Sequence, residues 1–444
     1  MRAYNITSIA NMLNAKHFQL NTDGVISELL LDSRQLIYPE KSLFFALKGE
    51  RFDGNEFIEE ALNKGALAAI CDNPGLIRDE RIVQVDDSFA FLKELALLHR
   101  RRLGTRIIAV TGSNGKTTTK ELLLHIFKRA KNTIATSGNY NNHIGVPLTL
   151  LRLKPDHEFL ILEMGANRPG DIRELCEMSE PDFGLITNIG KAHLEGFGGI
   201  EGVLKTKLEL FDFLQLKQQT IFLNCDSDPL NAVSTNFSHV IKYGQEIRHP
   251  DVAFRIVRLN PDIELIHVSE GEISYHSILY GKHNFENLMA AIAVAHFFGI
   301  APDLIQKGID DYVPDNMRSQ LLEIRNSTVM LDAYNANPSS MHAALDVMDN
   351  ITGRSKWVIL GAMAELGDHS DNEHHALVDR ITRGDYTRIL LIGNNYKFAD
   401  GNNRILWFES VASCRDWLDT NWPRQALILI KGSRSAGLEK LVIN

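Results

Sequence analysis

The sequence predicts an α/β protein of three domains. Its 444 residues exceed the roughly 250–300 at which a single hydrophobic core stops growing. Short apolar runs alternate with helical segments along most of the chain, which is typical of parallel sheets covered on both faces. Period-two alternation interrupts this pattern over residues 251–280, and a Pro- and Gly-punctuated segment follows. We therefore expect domains at 1–95, 96–313 and 314–444.

The first domain reads as a small α/β unit. Its predicted strands are "VISELLLDS", "SLFFAL", "LAAICD" and "RIVQVDD", around the helical segment "NEFIEEALNKG". The helix "SFAFLKELALLHRRRLG" closes this unit or bridges to the next. Because Arg100, Arg101 and Arg102 lie at the end of that helix, we interpret them as charges that oppose its dipole rather than as a basic binding patch.

The central and third domains each contain a further set of strands. The central strands are predicted at "RIIAVTG", "TIATSG", "EFLILEMG", "FGLITNIG", "TIFLNCD" and "HVIKYG", in a mostly parallel sheet. Residues 251–280 lack helix signals, so we expect an antiparallel appendage there. The third set is "TVMLDAY", "KWVILGAMAEL", "RILLIG" and "ALILIKGS".

Composition and charge exclude several classes of protein. The formal net charge is −9, from 47 basic and 56 acidic residues, which argues against bulk attraction to nucleic acid or anionic lipid. No apolar run approaches 18 residues and the start lacks a leader-like pattern, so we expect a cytoplasmic, unanchored protein. The sequence is silent on the oligomeric state, for which we expect a monomer. The four cysteines form no C-x-x-C pair, so we interpret them as reduced core thiols: Cys71, Cys176, Cys225 and Cys414.

The stretch "RIIAVTGSNGKTTTKELLLHIF" has the order expected of a phosphate-binding loop: buried strand, glycine loop, helix. Gly112 and Gly115, around Ser113 and Asn114, permit the backbone to approach an anion. The usual pattern asks for another glycine five residues before Gly115, where this chain has Val110. The helix begins with Lys116, which can reach the outer phosphates, then a Mg²⁺-ligand candidate, Thr117, and its neighbour Thr118.

Two candidate cation-site residues follow neighbouring strands of the predicted sheet. Glu163 stands where "FLIL" ends, and a phosphate-bound Mg²⁺ usually takes one such carboxylate. Lys191 and His193 lie in the loop after the next strand, at the same sheet edge if the strands are parallel. Together these residues suggest two cation sites.

Lys207 stands on the apolar side of a predicted helix, "GIEGVLKTKLELFDFL". Its stripe is formed by residues at spacings of 4, 3, 4 and 3: Ile200, Leu204, Lys207, Phe211 and Leu214. An ammonium among Leu and Phe must extend to water, pair, or lose its charge. A neutral amine can also add carbon dioxide and become a carbamate anion, a potential metal ligand.

These residues resemble those of the Mur ligases, the ATP-dependent amide-forming enzymes of peptidoglycan precursor synthesis. The resemblance spans nearly the whole chain, through "LFFALKGERFDGNEFI", "VTGSNGKTTTKEL", "GNYNNHIGVPLTLLRL", "LEMGANRPGDI", "TNIGKAHLEGFG", "KTKLELF", "GKHNFENLMAA", "LDAYNANPSSM", "AELGDHSDNEHH" and "KGSRSAGLE". It implies a UDP-sugar domain, a central P-loop ATPase domain and a C-terminal Rossmann-like domain that closes over the nucleotide and binds a dipeptide.

The resemblance also implies roles for individual residues. Lys116 and Thr117 match the phosphate and Mg²⁺ residues of the family, Glu163 and His193 its metal ligands, and Lys207 its carbamylated lysine. The implied cofactors are therefore ATP, Mg²⁺ at two sites, and carbon dioxide held as the lysine carbamate. The nucleotide contacts are expected at His283, Asn284, Asn287, Arg318, Asp332, Tyr334 and Asn335.

The implied substrates are UDP-N-acetylmuramoyl-tripeptide and D-alanyl-D-alanine, for which "DAYNANPSSM" and "KGSRSAGLE" are the signatures. The third residue of the tripeptide, diaminopimelate or lysine, stays open. Substrate contacts are expected at Ser33, Arg34, Gly49, Asp53, Asn139, Asn141, Asn142, Asn337, Lys431, Ser433 and Arg434. Three departures from the family pattern affect these contacts rather than ATP: Asn55, His143 and Ala362.

Three other functions stay open from the residues alone. A folylpolyglutamate synthetase typically has a G-K-G-S loop, whereas Thr117 and Thr118 follow Lys116 here. A P-loop kinase or regulatory NTPase would release a phosphorylated metabolite or only phosphate. A catalytically silent binding protein is disfavoured because the set of Lys, Thr, Glu, His and Lys is complete.

Overall fold

A computed structural model describes residues 4–5, 9, 24–35, 38–49, 52–73, 75, 79–268, 271–315, 317–399 and 404–442. The chain forms two compact units. The first comprises Met1–Ile108, Asn132–Met164 and Arg173–Pro181, and the second comprises Ala109–Lys131, Gly165–Ile172 and Asp182–Asn444.

The described residues form strands and helices that alternate along most of the chain. The strands are β1 Tyr4–Asn5, β2 Val25–Ile26, β3 Glu28–Leu30, β4 Ser42–Phe45, β5 Ala68–Cys71, β6 Ile82–Gln84, β7 Arg106–Thr111, β8 Thr133–Ala135, β9 Phe159–Glu163, β10 Phe183–Ile186, β11 Thr220–Asn224, β12 Val240–Gln245, β13 Val252–Arg258, β14 Ile263–His267, β15 Ile273–Ser277, β16 Gln320–Ile324, β17 Ser327–Asp332, β18 Ser355–Gly361, β19 Arg388–Ile392, β20 Ile405–Phe408 and β21 Ala426–Lys431. The helices are α1 Ile58–Asn63, α2 Ser88–Arg102, α3 Lys116–Lys128, α4 Gly145–Leu151, α5 Asp171–Ser179, α6 Leu194–Phe197, α7 Ile200–Leu216, α8 Asp228–Ala232, α9 Lys282–Phe297, α10 Pro302–Asp311, α11 Pro338–Asn350, α12 Ser370–Arg383 and α13 Val411–Asn421.

The first unit contains the predicted small α/β arrangement. Strands β3, β4, β5 and β6 form a parallel sheet in that order, and β8 pairs in parallel with β9. Arg100 differs from its prediction, because its buried side chain donates hydrogen bonds to the carbonyls of Ser179 and Glu180. Arg101 pairs with the Glu180 carboxylate at 2.6 Å. Two of the three arginines therefore bind α2 to the end of α5 rather than only oppose a dipole.

In the second unit, β10, β11, β12 and β13 pair in parallel, as predicted for the central sheet. Strands β14 and β15 then add in antiparallel pairing. The expected appendage at 251–280 is therefore a continuation of the same sheet, with β13 as its parallel junction. Side chains of this antiparallel part alternate between buried and exposed positions, which gave the period-two pattern.

The C-terminal part of the second unit forms a six-stranded sheet in the order β16, β17, β21, β18, β19, β20. All its pairs are parallel except that of β16 with β17. The sequence prediction missed β16 and β20, which lie at the two edges. In β16, Gln320 and Glu323 interrupt the apolar run, whereas β20 is apolar but only four residues long, and three of its residues are partly exposed.

The four cysteines are buried, as predicted, and no disulfide joins them. Within the described ranges, no helix combines the length and apolar character needed to cross a bilayer.

His267 is a buried polar residue with a measurable consequence for stability. Neither nitrogen of its ring has a hydrogen-bond partner among the described residues, and its ring centroid lies 4.2 Å from that of His296. Burial, with His296 as a second cause, lowers the pKa of His267 to about 4. The folded chain therefore resists protonation of this ring in a range where the unfolded chain accepts a proton.

We predict that His267→Leu makes stability less sensitive to acid. A group that titrates near 4 when folded and near 6.5 when unfolded contributes stability that is complete above pH 6.5 and falls by about 2 kcal/mol between pH 7 and pH 5. Urea unfolding at both pH values measures this loss in the wild type and the variant. The exposed His276 on β15 provides the control His276→Leu, which should keep the wild-type loss. An equal loss in all three proteins would contradict the prediction.

Candidate functional site

The glycine loop between β7 and α3 has the geometry of a phosphate-binding loop. Gly112 and Gly115 have φ of 143° and 79°, in the region that favours glycine. A Cβ atom at Gly112 would collide with the Thr187 hydroxyl, and one at Gly115 with the side-chain oxygen of Asn287. Helix α3 begins at Lys116, so its first amides face the loop. Glycine is therefore required at both positions.

The rest of the loop is fixed by hydrogen bonds to residues distant in sequence. The Ser113 hydroxyl donates to the Gly190 carbonyl at 3.1 Å and accepts from the Gly190 amide at 2.9 Å. The Asn114 amide donates to the side-chain oxygen of Asn188 at 3.0 Å, and its own side-chain oxygen accepts from Asn337 at 2.8 Å. These contacts shape the loop before any anion binds.

Lys116 bends back over this loop. Its ammonium donates to the carbonyls of Gly112 at 2.7 Å and Ser113 at 3.2 Å. Thr117 and Thr118 follow in the first turn of α3, half-buried, and the Thr117 hydroxyl makes no hydrogen bond to a described residue. A cationic group and an uncommitted hydroxyl thus adjoin the loop, as phosphate and Mg²⁺ binding require.

Glu163, in the first unit, ends β9 with a buried carboxylate that is only half satisfied. Asn141 donates to its Oε1 at 2.8 Å, whereas Oε2 is buried and has no partner among the described residues. A buried, unpaired carboxylate oxygen is costly unless a cation or donor reaches it. This donor therefore fits Mg²⁺, which prefers carboxylate oxygen.

His193, in the second unit, makes an ion-pair contact that the sequence did not predict. Its Nδ1 lies 2.5 Å from Oε2 of Glu365, which lowers the pKa of that carboxylate. No three His, Cys, Asp or Glu side chains converge on a metal-binding geometry within the described ranges. The implied metal set does not need such a cluster, because it also counts a threonine and a lysine carbamate.

Lys207 lies on the buried side of α7. The residue is 2% exposed, and its ammonium forms no hydrogen bond to a described residue. It lies 5.5 Å from the centre of the Phe197 ring. Burial, with repulsion from Lys116 as the next cause, lowers the pKa of Lys207 to about 7. A large neutral fraction at physiological pH leaves the amine free to add carbon dioxide.

The predicted apolar stripe around Lys207 needs one correction. Ile200 is exposed and Leu204 only partly buried, because the helix turns its first residues toward solvent. The buried side instead continues through Val203, Leu210 and the predicted Phe211 and Leu214.

The motif "GKHNFENL" places its two asparagines in one buried network. Asn287 donates to the side-chain oxygen of Asn284 at 3.2 Å and accepts from the Thr119 hydroxyl of α3 at 3.2 Å. Asn284 also donates to the Tyr280 carbonyl at 3.0 Å. Burial lowers the pKa of the neighbouring His283 to about 4, so this ring is neutral. The network attaches α9 to the helix that follows the phosphate loop.

Asp332 and Lys431 form a buried ion pair at the ends of adjacent strands. The Lys431 ammonium lies 2.5 Å from Asp332 Oδ2 and donates to the Asn335 carbonyl at 3.3 Å. Burial alone would raise the pKa of Asp332, but attraction to Lys431 outweighs it and the pKa is lowered. Lys431 therefore supports the predicted ribose residue, and its predicted contact with the acceptor stays a prediction.

Two arginines lie against one tyrosine ring. The Arg318 guanidinium carbon is 3.7 Å from the centre of Tyr334, and that of Arg434 is 5.8 Å from it. Arg434 also donates to the sulfur of Met317 at 3.4 Å. The stacking brings a predicted phosphate-binding arginine and a predicted acceptor residue to the same tyrosine ring.

The predicted UDP-sugar residues lie in loops of the first unit. Arg34 forms a two-pronged contact with Asp32, at 2.9 and 2.8 Å, next to the buried Ser33. Asp53 accepts from the amide of Asn55 at 3.0 Å and from its side chain at 2.8 Å. Asn55, one of the three departures from the family pattern, therefore fixes the position of the Asp53 carboxylate.

The remaining residue of this loop group has a local role. The Gly49 amide donates to the Phe52 carbonyl at 2.9 Å.

The asparagine segment of the first unit is divided between two tasks. Asn141 reaches Glu163, while the Asn142 side chain accepts from the Gly145 amide at 2.9 Å and so caps α4. Asn139 is exposed. His143, the second departure, packs its ring edge-on against Phe89 with centroids 5.4 Å apart.

A cleft of about 590 Å³ lies at the carboxyl ends of β18, β19, β20 and β21. Its polar lining residues are Glu409, Ser410, Arg415, Ser433, Ser435 and Lys440. Ala362, the third departure, also lines it, and the Ala362 carbonyl accepts from the Ser433 amide at 3.1 Å. An alanine there leaves the cleft wider than an aspartate would.

Sequence reasoning missed Asn188 and Glu365, which contact the phosphate loop and His193. Asn188 lies two residues beyond the end of β10, in "TNIGKAH", and Glu365 lies four residues beyond the end of β18, in "AELGDH". Their position just after a strand was the signal that could have identified them. The sequence did not indicate which residues they contact.

Three family models match successive segments of the chain. They are the Mur ligase family catalytic domain over residues 25–100, the Mur ligase middle domain over 110–295, and the Mur ligase glutamate ligase domain over 317–434.

Curated relatives match over almost their whole length. The UDP-N-acetylmuramoyl-tripeptide–D-alanyl-D-alanine ligase of Bacillus subtilis strain 168 is 34% identical, over 94% of this chain and 93% of the relative. That of Escherichia coli K12 is 33% identical, over 100% of this chain and 98% of the relative.

Solved structures agree. Crystal structure I of MurF from Acinetobacter baumannii superposes with a TM-score of 0.90 at 30% identity, covering 99% of this chain and 98% of that one. Thermotoga maritima MurF in complex with ADP gives 0.84 at 26% identity, covering 94% and 96%. The predicted three-domain α/β fold, with a mostly parallel central sheet, is thereby confirmed.

We predict that Lys431→Met destabilises the chain and that adding Asp332→Asn restores most of the loss. The single change leaves a largely buried carboxylate without its counter-ion, which costs about 2–3 kcal/mol, whereas the double change removes both charges. Urea unfolding at pH 7 measures each free energy. Lys440→Met, at an exposed lysine of the cleft, serves as the control and should stay near the wild type. A double variant as unstable as Lys431→Met would contradict the pairing.

Proposed function

This chain belongs to the Mur ligase family, and we propose that it joins D-alanyl-D-alanine to UDP-N-acetylmuramoyl-tripeptide, converting ATP to ADP and phosphate. The observation that carries the proposal is the glycine loop before Lys116, preformed by contacts from two other loops, in a chain similar to such ligases along its whole length. The product is a precursor of peptidoglycan.

The reaction requires activation of a carboxylate, because its carbon is electron-rich and would have to expel an oxide. The tripeptide carboxylate takes the γ-phosphoryl group of ATP and releases ADP. The amine of the dipeptide then attacks the carbonyl of the acyl phosphate, phosphate leaves, and the nitrogen loses a proton. The triphosphate and the carboxylate are both negatively charged and repel each other. The positively charged Lys116 and Arg318 therefore stabilise the two anions as they approach.

Four residues are proposed as the metal-binding set: Thr117, Glu163, His193 and Lys207. The uncommitted Thr117 hydroxyl and the unpaired Oε2 of Glu163 support this assignment. Bound Mg²⁺ neutralises phosphate charge during transfer. Lys207 contributes a negative ligand as its carbamate, which its buried, partly neutral amine favours.

The nucleotide is assigned to the loops of the second unit. Asn284, Asn287 and neutral His283 form its adenine side, and Asp332, oriented by Lys431, its ribose side. Tyr334 and Asn335 shape the edge, and Arg318 extends to the phosphates. Closing the C-terminal domain over this edge excludes water from the acyl phosphate.

The two substrates are assigned to separate domains. The UDP-sugar takes the first domain, at Ser33, Arg34, Gly49 and Asp53, with the asparagine segment 139–142. The dipeptide takes the C-terminal domain, where its expected contacts are Lys431, Ser433 and Arg434, and where Ser433 lines the cleft. We retain the division at 1–95, 96–313 and 314–444, supported by the three family models.

One assay separates this function from its alternatives. The purified chain is incubated with ATP, Mg²⁺ and UDP-N-acetylmuramoyl-tripeptide, with and without D-alanyl-D-alanine, and phosphate and UDP-linked products are measured. We expect phosphate release that depends on the dipeptide, with a heavier UDP-linked product. Phosphate release independent of both substrates would indicate a plain ATPase, and glutamate-dependent release with a folate would indicate a folylpolyglutamate synthetase.

We predict that Lys207→Ala lowers ligase activity by about 100-fold or more and that a short carboxylic acid such as acetate restores part of it. The added carboxylate replaces the negative charge that the carbamate supplied. Product formation is measured with and without the acid, and circular dichroism checks the fold. Lys205→Ala, at an exposed lysine of the same helix, should retain wild-type activity. No recovery in a folded Lys207→Ala protein would count against the carbamate.

A further inference from the structure

The contact between His193 and Glu365 joins two parts of the chain that match different family models. His193 lies in the segment 110–295, and Glu365 in the segment 317–434. The imidazole Nδ1 and the carboxylate Oε2 are 2.5 Å apart. Both residues also have positive φ, 51° and 61°, a region that residues with a side chain rarely adopt.

This geometry costs more than a simple surface ion pair returns. The left-handed backbone region is strained for residues that carry a side chain. The Glu365 side chain is 53% exposed, and exposed ion pairs contribute little to stability. Stability alone therefore does not account for the arrangement.

Neighbouring contacts hold the same two segments together without touching the His193 ring. Lys191 pairs with Glu373 at 2.6 Å, and its amide donates to the Ser339 hydroxyl at 2.8 Å. Asn337 bonds to Asn114 of the phosphate loop. These contacts hold the two segments together without Glu365, so the Glu365 carboxylate can act specifically on the His193 ring.

We propose that Glu365 is a positioning residue for His193. By accepting a hydrogen bond from Nδ1–H, it fixes the tautomer and the ring orientation, and it leaves the Nε2 lone pair as the metal-binding atom. A carboxylate behind a ligating histidine is a general device that orients the ring and raises its basicity. The proposal rests on the metal role given to His193 in the proposed function.

A coupling between domains follows from this arrangement. Because Glu365 belongs to the C-terminal segment, the histidine site is complete only when that segment is docked. Thermodynamic linkage then requires the reverse effect, so cation binding at His193 favours docking by the same free energy. The C-terminal domain thereby senses whether the cation is in place.

Mn²⁺ binding tests the proposal independently of turnover. The dissociation constant of Mn²⁺ is measured by electron paramagnetic resonance, with ADP present, for the wild type, Glu365→Ala, Glu365→Gln and Glu373→Ala. We expect Glu365→Ala to weaken binding about 10–100-fold. Glu365→Gln, which can still accept from Nδ1–H, should recover part of the affinity, and Glu373→Ala, which loses a docking contact only, should stay within about twofold.

Two results would overturn the proposal. One is wild-type affinity in a folded Glu365→Ala protein, and the other is equal weakening by Glu373→Ala, which would reduce Glu365 to a docking contact. A wild-type chain that binds no Mn²⁺ with ADP would reject the metal site itself, and with it this proposal. The ligase assay above is read separately, so the two failures are distinguishable.

Discussion

The conformation of the phosphate loop depends on glycine at position 115, and much of the second unit is arranged around that constraint. A side chain there would collide with Asn287, which is itself bonded to Asn284 and to Thr119 of α3. The space that Gly115 leaves open is therefore the space in which α9 attaches to the phosphate loop. A single missing Cβ atom allows the loop amides and the asparagine network to occupy one region.

Buried groups without partners mark the chemistry more clearly than the paired ones do. A folded chain normally satisfies its buried polar atoms, yet Glu163 keeps one bare oxygen and Lys207 a bare amine among the described residues. The Asp332 carboxylate, in contrast, is paired with the Lys431 ammonium. The charge of Asp332 is satisfied within the chain, whereas the unpaired groups keep the capacity to bind something that the chain does not supply.

The sequence was sufficient to predict the fold and to propose candidate site residues in the loops. It was not sufficient to predict which residues those candidates contact. Apolar runs located the central strands because burial on both faces leaves a continuous signal, and the same reasoning failed at the edge strand β16, where polar residues interrupt the run. The pair of Asp332 and Lys431 could not be predicted, because 99 residues separate them and only the parallel pairing of β17 with β21 brings them together.

Parallel pairing also explains why so many distant motifs meet. The phosphate loop follows β7, the His193 loop follows β10, Asp332 ends β17, and the Glu365 loop follows β18. In parallel sheets such ends lie on one edge, where ligands bind. Each of these groups lies just after a strand, so the sheets fix its position. The rest of each loop is less constrained and can vary in sequence. The His193 loop and the Glu365 loop follow strands of different sheets, so their contact joins the edges of two sheets.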